Sequence, residues 1–140
     1  MKTLRLLIPL LAILTTATPL ANAENGLKSG DPRSVAESFF AGYVAQVEAD
    51  SDTRTWVAAS KLVTAKFKTA YAKAMSAELV EADPVLQAQD VPQKPFKAAK
   101  TTLRGDSATV VLSTRFEAGN HEVTTTLVRV KGVWLLDSVK

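Results

Sequence analysis

Two carboxylates, Asp83 and Asp90, lie within one short proline-rich segment of the chain. A pair of carboxylates held close together can divide the acid and base roles of a catalytic reaction between them. Each residue also has a structural explanation, because Asp83 suits a cap before Pro84 and Asp90 suits an acceptor for loop amides ahead of Val91-Pro92. Spacing across a loop does not determine distance, so both interpretations stay open at the level of sequence.

The sequence lacks the residues that other common catalytic and metal-binding sites require. His121 is the single histidine and there is no cysteine, which leaves a zinc site almost without ligands. No G-x-S-x-G elbow, phosphate loop or dinucleotide fingerprint occurs, and Asp50-Ser51-Asp52 is too short for a calcium loop. The sequence therefore predicts no catalytic set, no metal ion and no cofactor, and it predicts that His121 is a neutral surface histidine beside a hairpin turn.

Aromatic and basic side chains offer a binding surface instead. Trp56, Tyr43 and Tyr71 could line a pocket, although aromatic residues on helix stripes belong to the core far more often. Four lysines flank the apolar stripe of the second helical segment, and they are Lys61, Lys66, Lys68 and Lys73. They form either an anion-binding face or the solvated rim of a helix. We favour the rim, because lysine is a common exposed helix former whose stem covers apolar surface.

Helical periodicity occupies the first half of the chain. Asp31-Pro32 predicts a helix start, with the carboxylate as N-cap and proline at a position that needs no N–H. This helix is expected to end in Asp50-Ser51-Asp52, where side chains compete for backbone hydrogen bonds. A second helical segment is predicted from Thr55 to about Val80, with Ser60 as the point where it could break, and a proline-rich loop follows from Ala82 to Pro95.

After this loop, apolar residues recur at every second position instead of at helical spacing. Strands are predicted over Phe96 to Arg104, Ala108 to Phe116, His121 to Lys131 and Val133 to Val139, with glycine turns between them. Trp134 is expected to be buried in the last strand and to meet the helix stripe that carries Phe39 and Tyr43. Helices followed by consecutive strands predict an α+β fold, with the N-terminal helices packed on an antiparallel meander.

The first 23 residues have the pattern of a secretory signal. Lys2 and Arg5 precede an apolar run that Pro9 interrupts, and the segment ends in Ala21-Asn22-Ala23. The run is about half as long as a bilayer-spanning helix, so a retained anchor is the weaker interpretation. Cleavage after Ala23 would leave a short disordered lead-in over residues 24–30, a single domain over residues 31–140, and a periplasmic or secreted product without a membrane anchor.

Removing this leader changes the charge of the protein. The whole chain has 17 basic and 14 acidic residues, and the loss of Lys2 and Arg5 lowers the formal charge from +3 to +1. A nearly neutral mature chain argues against a nucleic-acid partner, which would need a concentrated positive surface. Without cysteine, the exported domain must be stabilised by packing alone.

The order of elements and the closing segment, Lys131-Gly132-Val133-Trp134 to Val139, resemble the nuclear-transport-factor-2-like superfamily. In that superfamily a curved sheet wraps around helices as a cone and leaves a cavity at its open end. The segment Asp83-Pro84-Val85-Leu86-Gln87-Ala88-Gln89-Asp90 is similar to the central motif of a family of uncharacterised domains on short exported bacterial proteins. The resemblance implies a cone-like domain with Gln87, Gln89 and Asp90 near its mouth, and Asp90 turned inward.

These observations lead to three hypotheses for function. The first is an exported, non-catalytic binding module, most concretely an immunity protein that neutralises a toxin in the periplasm. Its expected contact residues are Asp90, Gln89, Gln87, Trp56 and Tyr43. The second is a small-ligand carrier or an enzyme that uses the cone cavity, with Asp90 as its polar group, since the superfamily includes both enzymes and binding modules. The third is a structural role in the envelope, with another envelope protein as partner.

Overall fold

The structure is a computed structural model that describes residues 31–140. Helix α1 runs over Pro32–Glu48, helix α2 over Thr53–Ala59 and helix α3 over Ala65–Met75. Four strands follow, β1 over Lys97–Arg104, β2 over Ser107–Phe116, β3 over Gly119–Val130 and β4 over Val133–Val139. The predicted signal segment and lead-in, residues 1–30, lie outside the described residues.

Each helix starts where a polar side chain satisfies its first amides. Asp31 accepts from the Arg33 amide at 3.0 Å and Pro32 occupies the first turn of α1, as the sequence predicts. Asp52 caps α2 through the amides of Arg54 and Thr55, and Thr64 caps α3 through the amide of Phe67.

The second helical segment breaks at Ser60, the point that the sequence predicts, but it ends at Met75 and not near Val80. Residues 60–64 leave the helix because Leu62 and Thr64 pair in parallel with β4, through Leu136, at N–O distances of 2.8 and 2.9 Å. This pairing also covers the edge of β4 at Leu136. Helix α3 ends at Met75 and not near Val80, since the Arg54 guanidinium donates to the Met75 carbonyl and the Ser76 hydroxyl donates to that of Lys73.

The four strands form one antiparallel meander in the order β1-β2-β3-β4. Observed strand bounds differ from the predicted ones by at most two residues, because glycine turns fix them. The β3–β4 turn places Lys131 and Gly132 at φ values of 51° and 79°, the positive pair that a two-residue hairpin requires. Register shifts interrupt the pairing of β1 near Ala98 and that of β3 near Thr126.

The core lies between the three helices and one face of this sheet. From β2 the inward side chains are Ala108, Val110, Leu112, Thr114 and Phe116, and they meet Val35, Phe39, Phe40 and Tyr43 of α1 in one buried cluster. Trp134 is 3% exposed and belongs to the same cluster, so its predicted burial is confirmed. The fold class predicted from sequence, α+β with helices packed on an antiparallel meander, is confirmed.

None of the helices in the described part of the chain has the length and apolar character needed to span a bilayer.

Candidate functional site

Asp83 anchors the proline-rich loop to the helical core. Its Oδ1 accepts from the amides of Val85 and Leu86 at 2.8 and 2.9 Å, and its Oδ2 accepts from the Tyr43 hydroxyl at 2.7 Å. The backbone closes around it, because its amide donates to the Ala88 carbonyl and its carbonyl accepts from the Gln87 amide. The carboxylate thus performs the capping role predicted from sequence and also joins the loop to α1.

The Tyr43 hydroxyl belongs to a chain of buried polar groups. It lies 3.0 Å from the hydroxyl of Tyr71, whose oxygen lies 2.8 Å from Thr53 Oγ1. Because the Tyr43 proton is given to Asp83, Tyr71 is the donor to Tyr43. Burial raises the pKa of Tyr43 above its usual range, and hydrogen bonds with Tyr71 and Asp83 raise it further. Tyr43 is therefore a neutral donor at any physiological pH, and the network links α1, α2, α3 and the loop.

His121 holds the other side of the loop. Its Nε2 lies 3.0 Å from the carbonyl of Leu86, and because a carbonyl only accepts, this nitrogen carries the proton. The imidazole also packs edge-on against Phe116, with 5.1 Å between ring centroids. His121 lies at the surface beside the hairpin turn, as the sequence predicts, but the loop folds back over the β2–β3 hairpin and half-buries the ring, a contact that the sequence does not predict.

The carboxylate that faces the interior is Asp83, and not Asp90 as the motif resemblance implies. Asp90 is exposed and makes no hydrogen bond or ion pair within residues 31–140, whereas Asp83 faces the interior. The two carboxylates also differ in availability, since both oxygens of Asp83 are engaged. An acid–base pair built on Asp83 and Asp90 therefore has no support in this arrangement.

Gln87 and Gln89 are exposed, yet their side-chain amides close the loop on itself. Gln87 Nε2 donates to the Pro84 carbonyl at 2.7 Å, and Gln89 Nε2 donates to the Glu81 carbonyl at 2.8 Å. Gln87 adopts φ 53°, a left-handed conformation that costs a non-glycine residue energy and that this bond helps to hold. Both side chains keep their carbonyl oxygens available to a partner.

Tyr43 does not reach the surface, whereas Trp56 reaches it in part, so the predicted contact role of Trp56 stays a prediction. Tyr43 is 0% exposed, so its expected role in direct binding is corrected to one in the core. Trp56 is partly buried, and its ring lies on Gly42, where an added Cβ would come within 2.7 Å of the ring. Tyr43 supports the loop through Asp83, and Trp56 packs against Tyr43 and Phe39.

A groove of about 280 Å³ opens beside this network, between α3, the loop and the end of β4. Its floor is apolar, with Phe67, Ala70 and Tyr71 from α3 and Val139 from β4, and Pro84 and Gln87 close one side. At its rim Lys66 pairs with Asp137 at 2.9 Å, and the Thr64 hydroxyl donates to the same carboxylate. A second, shallower hollow of about 220 Å³ brings Asp90, Gln87 and His121 together.

The four lysines do not converge on one anion site. Lys66 is paired with Asp137, while Lys61 and Lys73 are exposed at separate points along the helices. The interpretation as a solvated helix rim fits this arrangement. In the described part of the chain, no three histidine, aspartate or glutamate side chains gather as they would around a metal ion.

Comparison with known proteins shows the fold. No protein-family model matches the chain, and no curated protein matches it. Among solved structures, a chain in the crystal structure of the type VI native effector–immunity complex Tae3-Tai3 from Ralstonia pickettii is similar, at 16% sequence identity and a TM-score of 0.65. The similarity covers 79% of this chain and 94% of that chain. The resemblance to the nuclear-transport-factor-2-like superfamily and to the Asp-Pro motif family stays a prediction.

Proposed function

We propose that this chain is an exported, non-catalytic binding protein of the immunity type, which neutralises a toxin in the periplasm. The observation that carries the proposal is the similarity of its fold to a chain of a type VI effector–immunity complex. That similarity extends over 94% of the other chain, so it involves the whole domain and not one common supersecondary motif. Fold analogy supports a function only in combination with the site.

The organisation of the loop supports binding over catalysis. Both carboxylate oxygens of Asp83 accept hydrogen bonds from groups within the domain. The raised pKa of Tyr43 keeps its hydroxyl protonated, so it is unsuited to proton transfer at neutral pH. The same bonds fix the loop backbone, so its exposed side chains Asp90, Gln87 and Gln89 are presented from a rigid support. A rigid surface loses less conformational entropy when a partner binds.

A rescue experiment tests this function and its compartment together. The toxin to use is whichever product of the genes that flank this one stops growth when it is targeted to the periplasm of a sensitive host. Expression of residues 1–140 should restore growth, and a matched form that lacks residues 2–23 should not. Both forms should bind the purified effector equally well in vitro, because residues 31–140 contain the whole domain. Failure of the purified chain to bind that effector would contradict the proposal.

The groove supports a second candidate, a carrier of a small apolar ligand. Its volume and its floor of Phe67, Ala70, Tyr71 and Val139 suit such a molecule. A ligand bound there should raise the melting temperature, and Ala70→Phe, which fills the groove from an exposed helix position, should abolish that rise. Growth rescue that persists in Ala70→Phe would separate the two functions in favour of immunity.

A further inference from the structure

The sheet has a second face that no described element covers. Residues opposite each other in an antiparallel pair project to the same side, so the buried pair Leu127 and Leu136 defines the core face of β3 and β4. The alternate pairs, Val128 with Leu135 and Val130 with Val133, must project to the other side. Within residues 31–140 helices α1 and α3 contact the sheet on its core side, α2 packs on α1 and α3, and the outer face is left open.

An aliphatic cluster occupies one end of this outer face. Val128, Val130, Val133 and Leu135 lie next to each other across the β3–β4 hairpin. Val130 is 46% exposed and Val133 is 44% exposed, while Val128 and Leu135 are half-buried. The solvent face of an antiparallel sheet is normally polar, so four adjacent aliphatic side chains mark a surface that another protein can cover.

Three basic side chains form a stripe along β1 and β2 on the same face. Lys100 and Arg104 pair with Val111 and Ser107, which places them on the outer side of β1, and Arg115 extends the positive charge onto β2. All three basic side chains are exposed and none forms an ion pair within the described residues. Threonine and serine side chains separate the stripe from the aliphatic cluster, and they are Thr102, Ser107, Thr109 and Thr126.

We infer that the outer sheet face, with its aliphatic cluster and basic stripe, is the surface that docks the toxin, and that the toxin meets it with an acidic patch beside apolar side chains. This inference rests on the proposed immunity function. A second copy of the chain is the poorer occupant, because this face offers Glu122 as its acidic side chain against Lys100, Arg104 and Arg115. Two such faces brought together would place like charges in contact.

Charge reversal with a matched control tests the basic stripe. Lys100→Glu/Arg104→Glu should weaken binding of the purified effector at least about tenfold, chiefly through slower association that depends less on salt. Lys61→Glu/Lys73→Glu makes the same change in net charge on the helical side, and its affinity should stay within about twofold of the parent, the range expected of a remote charge. Thermal melts of both variants establish that the domain is folded.

Polar replacement tests the aliphatic cluster. Val130→Thr/Val133→Thr keeps β-branched side chains and therefore strand propensity, and it should speed dissociation of the effector without lowering the melting temperature. Parental affinity in both outer-face variants would overturn the inference. The inference would also be overturned if sedimentation showed that the parent chain is a dimer, and if the outer-face variants lost this dimer but still bound the effector. If the parent chain binds no effector, the proposed function itself fails, which is a different result.

Discussion

Asp83 and Asp90 share one loop but have opposite surroundings, and this difference can be measured. Asp83→Ala removes the acceptor of a buried tyrosine hydroxyl and of two amides, so it should lower the free energy of unfolding by about 3 kcal/mol. Asp90→Ala removes an exposed carboxylate and should change it by less than about 0.5 kcal/mol. Urea denaturation of the two variants checks both values, and equal stability losses would contradict the assignment of Asp83 as the structural carboxylate.

Sequence reasoning identified Asp83 as a cap because Asp before Pro is a local signal. It could not identify Tyr43 or Tyr71 as partners, since their hydroxyls come from helices that are distant in sequence and meet the loop only in the folded chain. The hydrogen bond of His121 to the Leu86 carbonyl could not be predicted either, since the two residues are distant in sequence. The inward position of Asp90 is implied by a motif resemblance, and a motif specifies residue types without specifying the direction in which each side chain points.

At the scale of elements, the N-cap of α2 gives the stability of the domain a defined pH dependence. The hydrogen bond from the Thr55 hydroxyl, followed by those from the amides of Thr55 and Arg54, lowers the pKa of Asp52. A carboxyl whose pKa is lower in the folded state than in the unfolded state stabilises the fold above both values, and this contribution is lost as the pH falls below about 4. Asp52→Asn keeps a capping oxygen but does not titrate there.

The difference in melting temperature between parent and Asp52→Asn should therefore shrink as the pH is lowered from 6 to about 2.5, the range that spans aspartate titration. Calorimetry in buffers of equal ionic strength measures it. A difference that stays constant over this range would show that the Asp52 carboxylate is not specifically stabilised by α2.

The register of β4 can be tested at adjacent positions. Trp134 is 3% exposed on the core face, where the Arg129 guanidinium lies 5.2 Å from its ring centre, and Leu135 projects to the outer face. Trp134→Ala should cost about 3–5 kcal/mol through lost burial and a cavity, whereas Leu135→Ala should cost about 1 kcal/mol. Thermal melts would reveal a one-residue slip in register as a reversal of this order.

The ends of elements that depend on neighbouring residues could be predicted from the sequence. The ends that depend on contacts with residues distant in sequence could not. Asp31-Pro32 marked the start of α1, and Lys131-Gly132 marked the β3–β4 turn, because capping and positive φ depend on neighbouring residues. The separation of α2 from α3 depends on Leu62 and Thr64 pairing with Leu136 of β4. The sequence predicts the break at Ser60, but this pairing and the contact of Arg54 with Met75 at the end of α3 both involve residues distant in sequence, so the predicted segment runs too far.

At the scale of the whole molecule, packing all three helices on one side of the sheet divides the surface into two regions. The helical side holds the tyrosine network, the groove and the Asp83 loop, and the other side holds the aliphatic cluster and the basic stripe. A neutralising protein needs a large exposed face more than a deep pocket, because standard protein interfaces bury about 800 Å² on each partner. A four-stranded sheet face can supply such an area, which the groove alone cannot.

Residues 1–23 are predicted to direct export, which would set the compartment in which the protein meets a partner. We predict that the mature N-terminus is Glu24, because Ala21 and Ala23 supply the small side chains that signal peptidase requires. Intact-mass measurement of protein recovered from the periplasm should match residues 24–140. Ala23→Tyr, which places a bulky side chain at the cleavage position, should shift the product to the precursor mass and retain it in the membrane fraction. An unprocessed parent chain in that fraction would contradict the prediction, since the protein would then remain anchored through its leader.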